Sequence, residues 1–219
     1  MTIVLKLGGR VAVETVQAAL ARLDGDVVVV HGAGPQITAE LERRGIVPTF
    51  VRGRRVTTDA VLEVVRESLE SVNAEVCAAI GPRAVGMRGD EIGLRATRVA
   101  ELGLVGVPQP SSPVAVLDAL AAGLVPVVTP LAIGPLNVNA DEAAGALAVG
   151  LRAVQLLFVS DVPGVLLDGT VASVLPADEA EAGLESGRFE GGIVPKLMAA
   201  VQAARGGVRA TIGTTDVPA

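Results

Sequence analysis

Short runs of consecutive aliphatic residues alternate along this chain with longer stretches in which apolar residues recur every three or four positions. The runs "TIVLKL", "DVVVVH", "VPVVTP", "VQLLFVSD" and "RATIG" have the length and β-branched content of buried strands. Between them, "VETVQAALARL", "PQITAELERRG", the stretch Thr58 to Ile80, "PVAVLDALAAG", "ADEAAGALAVGL" and "VPKLMAAVQAARGG" carry helical spacing. Pro35 sits near the first turn of the second helix and Gly45 just past its end, the expected asymmetry of helix termini. A hairpin-like region is predicted around "VGMRGDEIGLRAT". Continuous apolar strands separated by helices predict an α/β fold: a mainly parallel sheet covered on both faces. The Gly/Pro-rich "TPLAIGPLNV" is the best boundary between an N-terminal lobe of about 1–130 and a C-terminal lobe of about 131–219.

Composition narrows the function classes. Half of the 219 residues are hydrophobic, yet there are three Phe and neither Trp nor Tyr, so the core is aliphatic. No aromatic platform for single-stranded nucleic acid is available, and a net charge of −6 disfavours nucleic acid generally. One cysteine, Cys77, cannot close an internal disulfide, which suits a reducing cytoplasm. No apolar run approaches the length of a membrane helix, and no signal peptide is apparent. Among 18 basic residues only Lys6 and Lys196 are lysines; arginine serves everywhere else. An ammonium is a compact point charge that fits where a guanidinium does not, so the two lysines draw attention.

In parallel sheets, ligands bind beyond the carboxyl ends of the strands. Three loops there are suggestive: "KLGGR", "VHGAGPQ" and "NVNADEAA". Glycine permits close approach to the backbone, and free N–H groups at a helix start favour phosphate. None is a Walker A loop, and "GAGPQI" lacks the third glycine of the dinucleotide fingerprint.

Taken in order, "KLGG", "VHGAGPQI", "RGRRVTTD", "LNVNADEAA", "SDVPGV" and "GGIVPKL" resemble the amino acid kinase family across nearly the whole chain, most of all its members that phosphorylate N-acetylglutamate in arginine biosynthesis. The resemblance implies a three-layer αβα sandwich of two lobes, the first binding the acylamino acid and the second ATP with Mg²⁺. It implies that Lys6 and Lys196 flank the transferred phosphoryl group and that Asp141 orients both. By the same match Gly8, Gly9 and Gly32 face the phosphates, the backbones of Ala33 and Gly34 meet the γ-phosphate and the substrate, Arg55 holds the α-carboxylate, and Asn137 bonds the acylamino group. Asp161, Gly164 and Gly191 fall in the nucleotide-binding stretches. Ala33 stands where the family commonly has glycine, which would be strained at positive φ. Ile193 stands where methionine is usual, and the chain is short for the family. Comparison with ring-forming relatives implies an arginine-insensitive homodimer.

Simpler readings accompany these roles. Asp141 could be an acid favoured at a helix N-terminus, Arg55 a solvated cation, Asn137 a cap and His31 a structural residue. From Arg43 to Arg55 five arginines occur without an acidic residue, a patch that could steer an acidic carrier protein bearing aminoadipate or glutamate. A non-catalytic nucleotide-binding protein on the same fold is the remaining alternative.

Overall fold

The computed structural model describes residues 1–8, 13–51, 53–159 and 162–219. The chain opens with β1 (Thr2–Leu7), α1 (Val13–Leu20), β2 (Asp26–His31) and α2 (Gly34–Arg43). A small hairpin of β3 (Phe50–Val51) and β4 (Arg54–Arg55) precedes the long α3 (Asp59–Ile80). Next come β5 (Ala84–Arg88), α4 (Gly89–Ile92), β6 (Ala96–Arg98), β7 (Val105–Pro108), α5 (Val114–Ala121) and β8 (Val125–Thr129). Short strands β9 (Leu131–Ala132) and β10 (Leu136–Val138) lead to α6 (Ala140–Gly150) and β11 (Gln155–Val159). The chain closes with β12 (Leu166–Leu167), β13 (Thr170–Val171), α7 (Ala177–Glu185), α8 (Ile193–Arg205), β14 (Arg209–Ile212) and β15 (Thr215–Val217).

Seven strands form one sheet in the order β15-β14-β11-β1-β2-β8-β5, parallel throughout except for the last strand, β15. The sheet is continuous across both halves of the sequence, because β1 pairs with β2 on one side and β11 on the other. Helices cover both faces, as the alternation of buried runs and amphipathic stretches predicts. A second sheet, β6-β7-β10-β9, takes in half of the Gly/Pro-rich stretch, as the paired strands β9 and β10. The hairpin expected around residues 85–97 does not form: β5 joins the main sheet beside β8, while β6 pairs with β7 in the smaller sheet. The short helix α4 and Gly93, in the left-handed conformation, redirect the chain between the two.

Side chains alternate across a strand, and that alternation sorts the core. Leu5, Leu7, Val27, Val29 and Val127 pack together on one face, next to α1 and α3. Val4, Val28, Val30, Val128, Leu156 and Phe158 face the opposite side, against Ala143, Ala144 and Leu147 of α6 and Leu197 of α8. Lys6 shares the parity of Val4 and therefore points to the α6 face; His31 shares the parity of Val29 and points to the α3 face. The α6–α8 contact is close because both helices are rich in small residues, and Cβ added at Gly145 would lie 3.3 Å from the carbonyl oxygen of Ala199. The helical stretch expected from Thr58 to Ile80 forms as α3; Thr58 caps its start by accepting from Val61 N, and Gly81 ends it at φ +90°. Helix α7 carries little hydrophobic pattern because it buries Ala177, Ala180 and Gly183, the last against the Phe189 ring.

On the α3 face, His31 is buried and neutral. Asn73 Nδ2 donates both to His31 Nε2 (3.0 Å) and to the Val127 carbonyl (2.9 Å). Burial foremost lowers the imidazole pKa from 6.5 to about 4, and the nearby Lys6 charge adds to it.

Two predictions follow from this core. Leu147 is fully buried under the sheet, so Leu147→Ala should cost about 2–5 kcal/mol in urea unfolding; a loss below about 1 kcal/mol would contradict this packing. The unfolded imidazole binds its proton near 6.5 and the folded one only near 4. Acidification through that window therefore removes roughly 3 kcal/mol of stability. Unfolding measured from pH 7 to pH 4 should show the slope, and His31→Gln should abolish most of it.

Candidate active site

The parity of β1 delivers Lys6 to the first turn of α6. Asn139 caps that helix, its Oδ1 accepting from Asp141 N (2.8 Å) and Glu142 N (3.2 Å). The cap holds the helix start in place, and with it the Asp141 carboxylate, 2.7 Å from Lys6 Nζ. Both side chains are buried, at 6% and 8% exposure. Burial is the largest influence on the Lys6 ammonium and lowers its pKa; the Asp141 charge opposes this, and the like charge of Lys196 adds to the lowering. Lys196, in the first turn of α8, thus acts electrostatically on the same ammonium. Its Nζ donates to the Gly192 carbonyl at 3.1 Å. Lys6 and Asp141 thus form a buried ion pair at the carboxyl end of β1, and the charge of Lys196 reaches it from the start of α8. Asp141 is more than a dipole-matching acid, since it is the ion partner of a buried cation.

Around this center, Gly8 N donates to the Val159 carbonyl (3.0 Å) and Gly32 N to the Leu7 carbonyl (3.2 Å), so both lie at the strand ends. Ala33, the N-cap of α2, has φ −136°, so the alanine in place of glycine carries no left-handed strain. Gly34 opens α2 and is exposed. Gly191 is exposed at φ +65° directly before α8. Gly164 is buried, and Cβ there would lie 2.6 Å from Thr215 Oγ1; its visible role is close packing. Gly9 and Asp161 lie outside the described residues.

Arg55 is buried rather than solvated, at 7% exposure. Its Nη2 donates to the Gly34 carbonyl (3.2 Å) and to Thr38 Oγ1 (2.9 Å), and its guanidinium lies 4.5 Å from the Phe50 ring centroid. The other nitrogen, Nη1, is buried without a partner. A guanidinium held on one side and unsatisfied on the other is a preorganised anion receptor. Asn137 does not cap a helix; its Nδ2 donates to Thr57 Oγ1 at 3.0 Å.

Three residues absent from the sequence-derived set belong to this region. Glu142 is buried and paired with Arg54 at 3.0 Å, tying the β3–β4 hairpin to α6. Burial raises its pKa, with Arg54 opposing. Thr38 anchors Arg55, and Thr57 anchors Asn137. Glu142 sits inside "NVNADEAA" and Thr57 inside "RGRRVTTD", so the motifs contained them, but only folding gives them partners. The basic patch from Arg43 to Arg55 is largely neutralised by carboxylates from outside it. Arg43 pairs with Glu40 (2.6 Å), Arg44 with Glu40 (2.6 Å) and Glu67, and Arg54 with Glu142. Arg52 lies outside the described residues.

Comparisons with known proteins agree with this arrangement. Residues 1–214 match the model of the amino acid kinase family. The acetylglutamate kinase of Gluconacetobacter diazotrophicus is 40% identical over 242 aligned positions, covering 96% of this chain and 77% of that one. That of Saccharopolyspora erythraea is 42% identical, covering 94% and 77%. The first alignment has more positions than this chain has residues, so the relative carries insertions within the matched region. Among solved structures, Giardia lamblia carbamate kinase bound to AMP-PNP superposes with TM-score 0.74 at 16% identity, covering 99% of this chain and 98% of that one. Neisseria gonorrhoeae N-acetylglutamate synthase, bound to coenzyme A and L-arginine, superposes with TM-score 0.82 at 23% identity, covering 99% and 61%. These two likenesses concern the fold. The match along nearly the full chain, together with relatives about 40% identical over most of it, places this protein in the amino acid kinase family.

Proposed function

We propose that this protein phosphorylates the side-chain carboxylate of N-acetyl-L-glutamate with ATP, giving an acyl phosphate and ADP in arginine biosynthesis. The observation that carries the reading is the buried Lys6–Asp141 pair within electrostatic reach of Lys196, in a chain about 40% identical to acetylglutamate kinases. A carboxylate oxygen would attack the γ-phosphorus while the bond to the β,γ-bridging oxygen breaks and ADP departs. With a solution pKa of about 4.3 the attacking carboxylate is already ionised, so no general base is required. His31, on the opposite face of the sheet, takes no part.

What the reaction requires is charge stabilisation and positioning. Lys6 and Lys196 would face the oxygens on which negative charge accumulates, and Asp141 would keep two like charges in register. The start of α2 at Ala33 and Gly34 would offer backbone N–H groups to the phosphates, and Gly8 and Gly32, which lack side chains, would let the phosphates approach the strand ends closely. Arg55 Nη1 would donate to the substrate α-carboxylate, its missing partner. The nucleotide would lie toward Gly164, Gly191 and Asp161.

Among the described residues no cluster of three or more His, Cys, Asp or Glu could chelate a metal. In our reading Mg²⁺ arrives on the ATP phosphates, the arrangement its chemistry favours, where it would neutralise phosphate charge. We further propose a homodimer in the cytoplasm. Among the described residues no helix is long and apolar enough to cross a membrane. A carrier-linked substrate receives less support, because Arg43, Arg44 and Arg54 already hold carboxylates.

Steady-state assays with free N-acetylglutamate, aminoadipate and glutamate test the substrate. Turnover should be highest with N-acetylglutamate; activity confined to carrier-linked substrates would reverse the conclusion. Lys6→Arg should lower kcat by about 100-fold or more, because the guanidinium cannot occupy the point-charge position beside Asp141. The variant should remain folded at the assay temperature, checked by circular dichroism, and near-wild-type turnover would remove Lys6 from the mechanism. Arg55→Ala should chiefly raise KM for the acyl substrate, by about tenfold or more, with KM for ATP unchanged.

A further inference from the structure

Thr57 is fully buried and lies between the two residues assigned to the acyl substrate. Its Oγ1 is 2.7 Å from the Arg55 carbonyl oxygen and 3.0 Å from Asn137 Nδ2. A carbonyl oxygen only accepts, so the Thr57 hydroxyl proton must point to Arg55. The hydroxyl oxygen can then only accept from its other neighbor, which must therefore be the NH₂ group of Asn137. The amide orientation of Asn137 is settled by this one-way relay, running from Asn137 N–H through Thr57 O–H to the Arg55 carbonyl. Its Oδ1, an acceptor, is turned away from Thr57, and no donor to it is found among the described residues.

The frame around the relay is rigid. Thr57 N donates to the Leu102 carbonyl (2.9 Å), Leu104 N to the Thr57 carbonyl (2.7 Å), and Asn137 N to the Leu104 carbonyl (2.9 Å). Both relay residues are thus pinned by the same three-residue segment. Gly103 at its center has φ +84°, and Cβ there would lie 2.4 Å from the Thr57 carbonyl oxygen. The close approach requires glycine.

We infer that Thr57 is a positioning residue that sets the polarity of the acyl site, presenting the Asn137 carbonyl oxygen to the N–H of an acylated amino group. The inference rests on the acylamino-acid reading above and adds the reason that an N–H, rather than an acceptor, is selected at that point. A substrate in which an ester oxygen replaces the amide N–H places two acceptors against each other and loses the bond.

The test uses wild type, Thr57→Val and Thr57→Ser, with N-acetylglutamate and its ester analogue O-acetyl-2-hydroxyglutarate. Wild type should prefer the amide in kcat/KM by about tenfold or more, the factor one neutral hydrogen bond carries. Thr57→Val leaves the Asn137 amide free to rotate. It should lower kcat/KM for the amide by about tenfold through KM, leave the ester and KM for ATP unchanged, and so erase the preference. Thr57→Ser should restore it. Equal losses on both substrates, or no change on either, would overturn the relay while leaving the substrate reading intact. Should Thr57→Val not fold, the wild-type comparison decides: equal kcat/KM for amide and ester overturns the inference. Lack of wild-type turnover with N-acetylglutamate would instead remove the substrate reading and this inference with it.

Discussion

A cation buried at the end of the central strand needs an anion beside it, and the rest of the site is arranged around that need. Lys6 has 6% of its side-chain surface exposed, and Asp141 supplies the compensating charge at 2.7 Å. Desolvating two charges is expensive, and removing one partner of such a pair leaves an uncompensated buried ion, a loss of about 3–5 kcal/mol. The pair is therefore poor material for stability alone. It suits a site where a multiply charged phosphate group arrives, since the low-dielectric setting that makes the pair costly also strengthens every interaction with that group. Asn139 caps α6 and so keeps the acid where the cation needs it.

The second half of the site is held by a different means. Around Arg55 and Asn137 the fixing contacts are neutral hydrogen bonds to the Gly34 carbonyl, Thr38 and Thr57. They leave one guanidinium nitrogen and one amide oxygen for a ligand. The Arg54–Glu142 pair joins the hairpin bearing Arg55 to the helix bearing Asp141, so both clusters of polar groups share a support. Two adjacent acids of α6 thus face two cations from distant parts of the chain.

The division of labor between arginine and lysine has a geometric basis. Arg88 bridges Asp90, Glu70 and Glu91, and Arg205 pairs with both Asp178 and Glu181, contacts that exploit a planar fork of donors. Of the only two lysines, Lys6 stands at the end of β1 beside Asp141 and Lys196 in the first turn of α8, where its charge reaches Lys6. There a single compact charge must fit beside another positive group.

Much of the architecture was legible in local pattern. The "DVVVVH" run, the Pro35 and Gly45 signals of α2 and the span of α3 all appear close to where the sequence puts them. Strands of two or three residues, such as β9 and β12, carry too few positions to show a period, and α7 hides its buried face in Ala and Gly. The hairpin expectation failed because strand patterning does not reveal which sheet a strand joins. Ordered motifs singled out Lys6, Asp141, Lys196, Arg55 and Asn137 as candidates, whereas the apparent basic patch dissolved once Glu40, Glu67 and Glu142 met it. Residue type and spacing alone determined the α/β class, the aliphatic core and the family likeness, since these depend on neighbors in the chain. Partner choice was decided only in three dimensions: Thr57 meets Asn137 across 80 residues and Arg54 meets Glu142 across 88. Such pairs form because strand parity and helix packing bring remote segments to one end of the sheet, where a buried polar atom must find its complement.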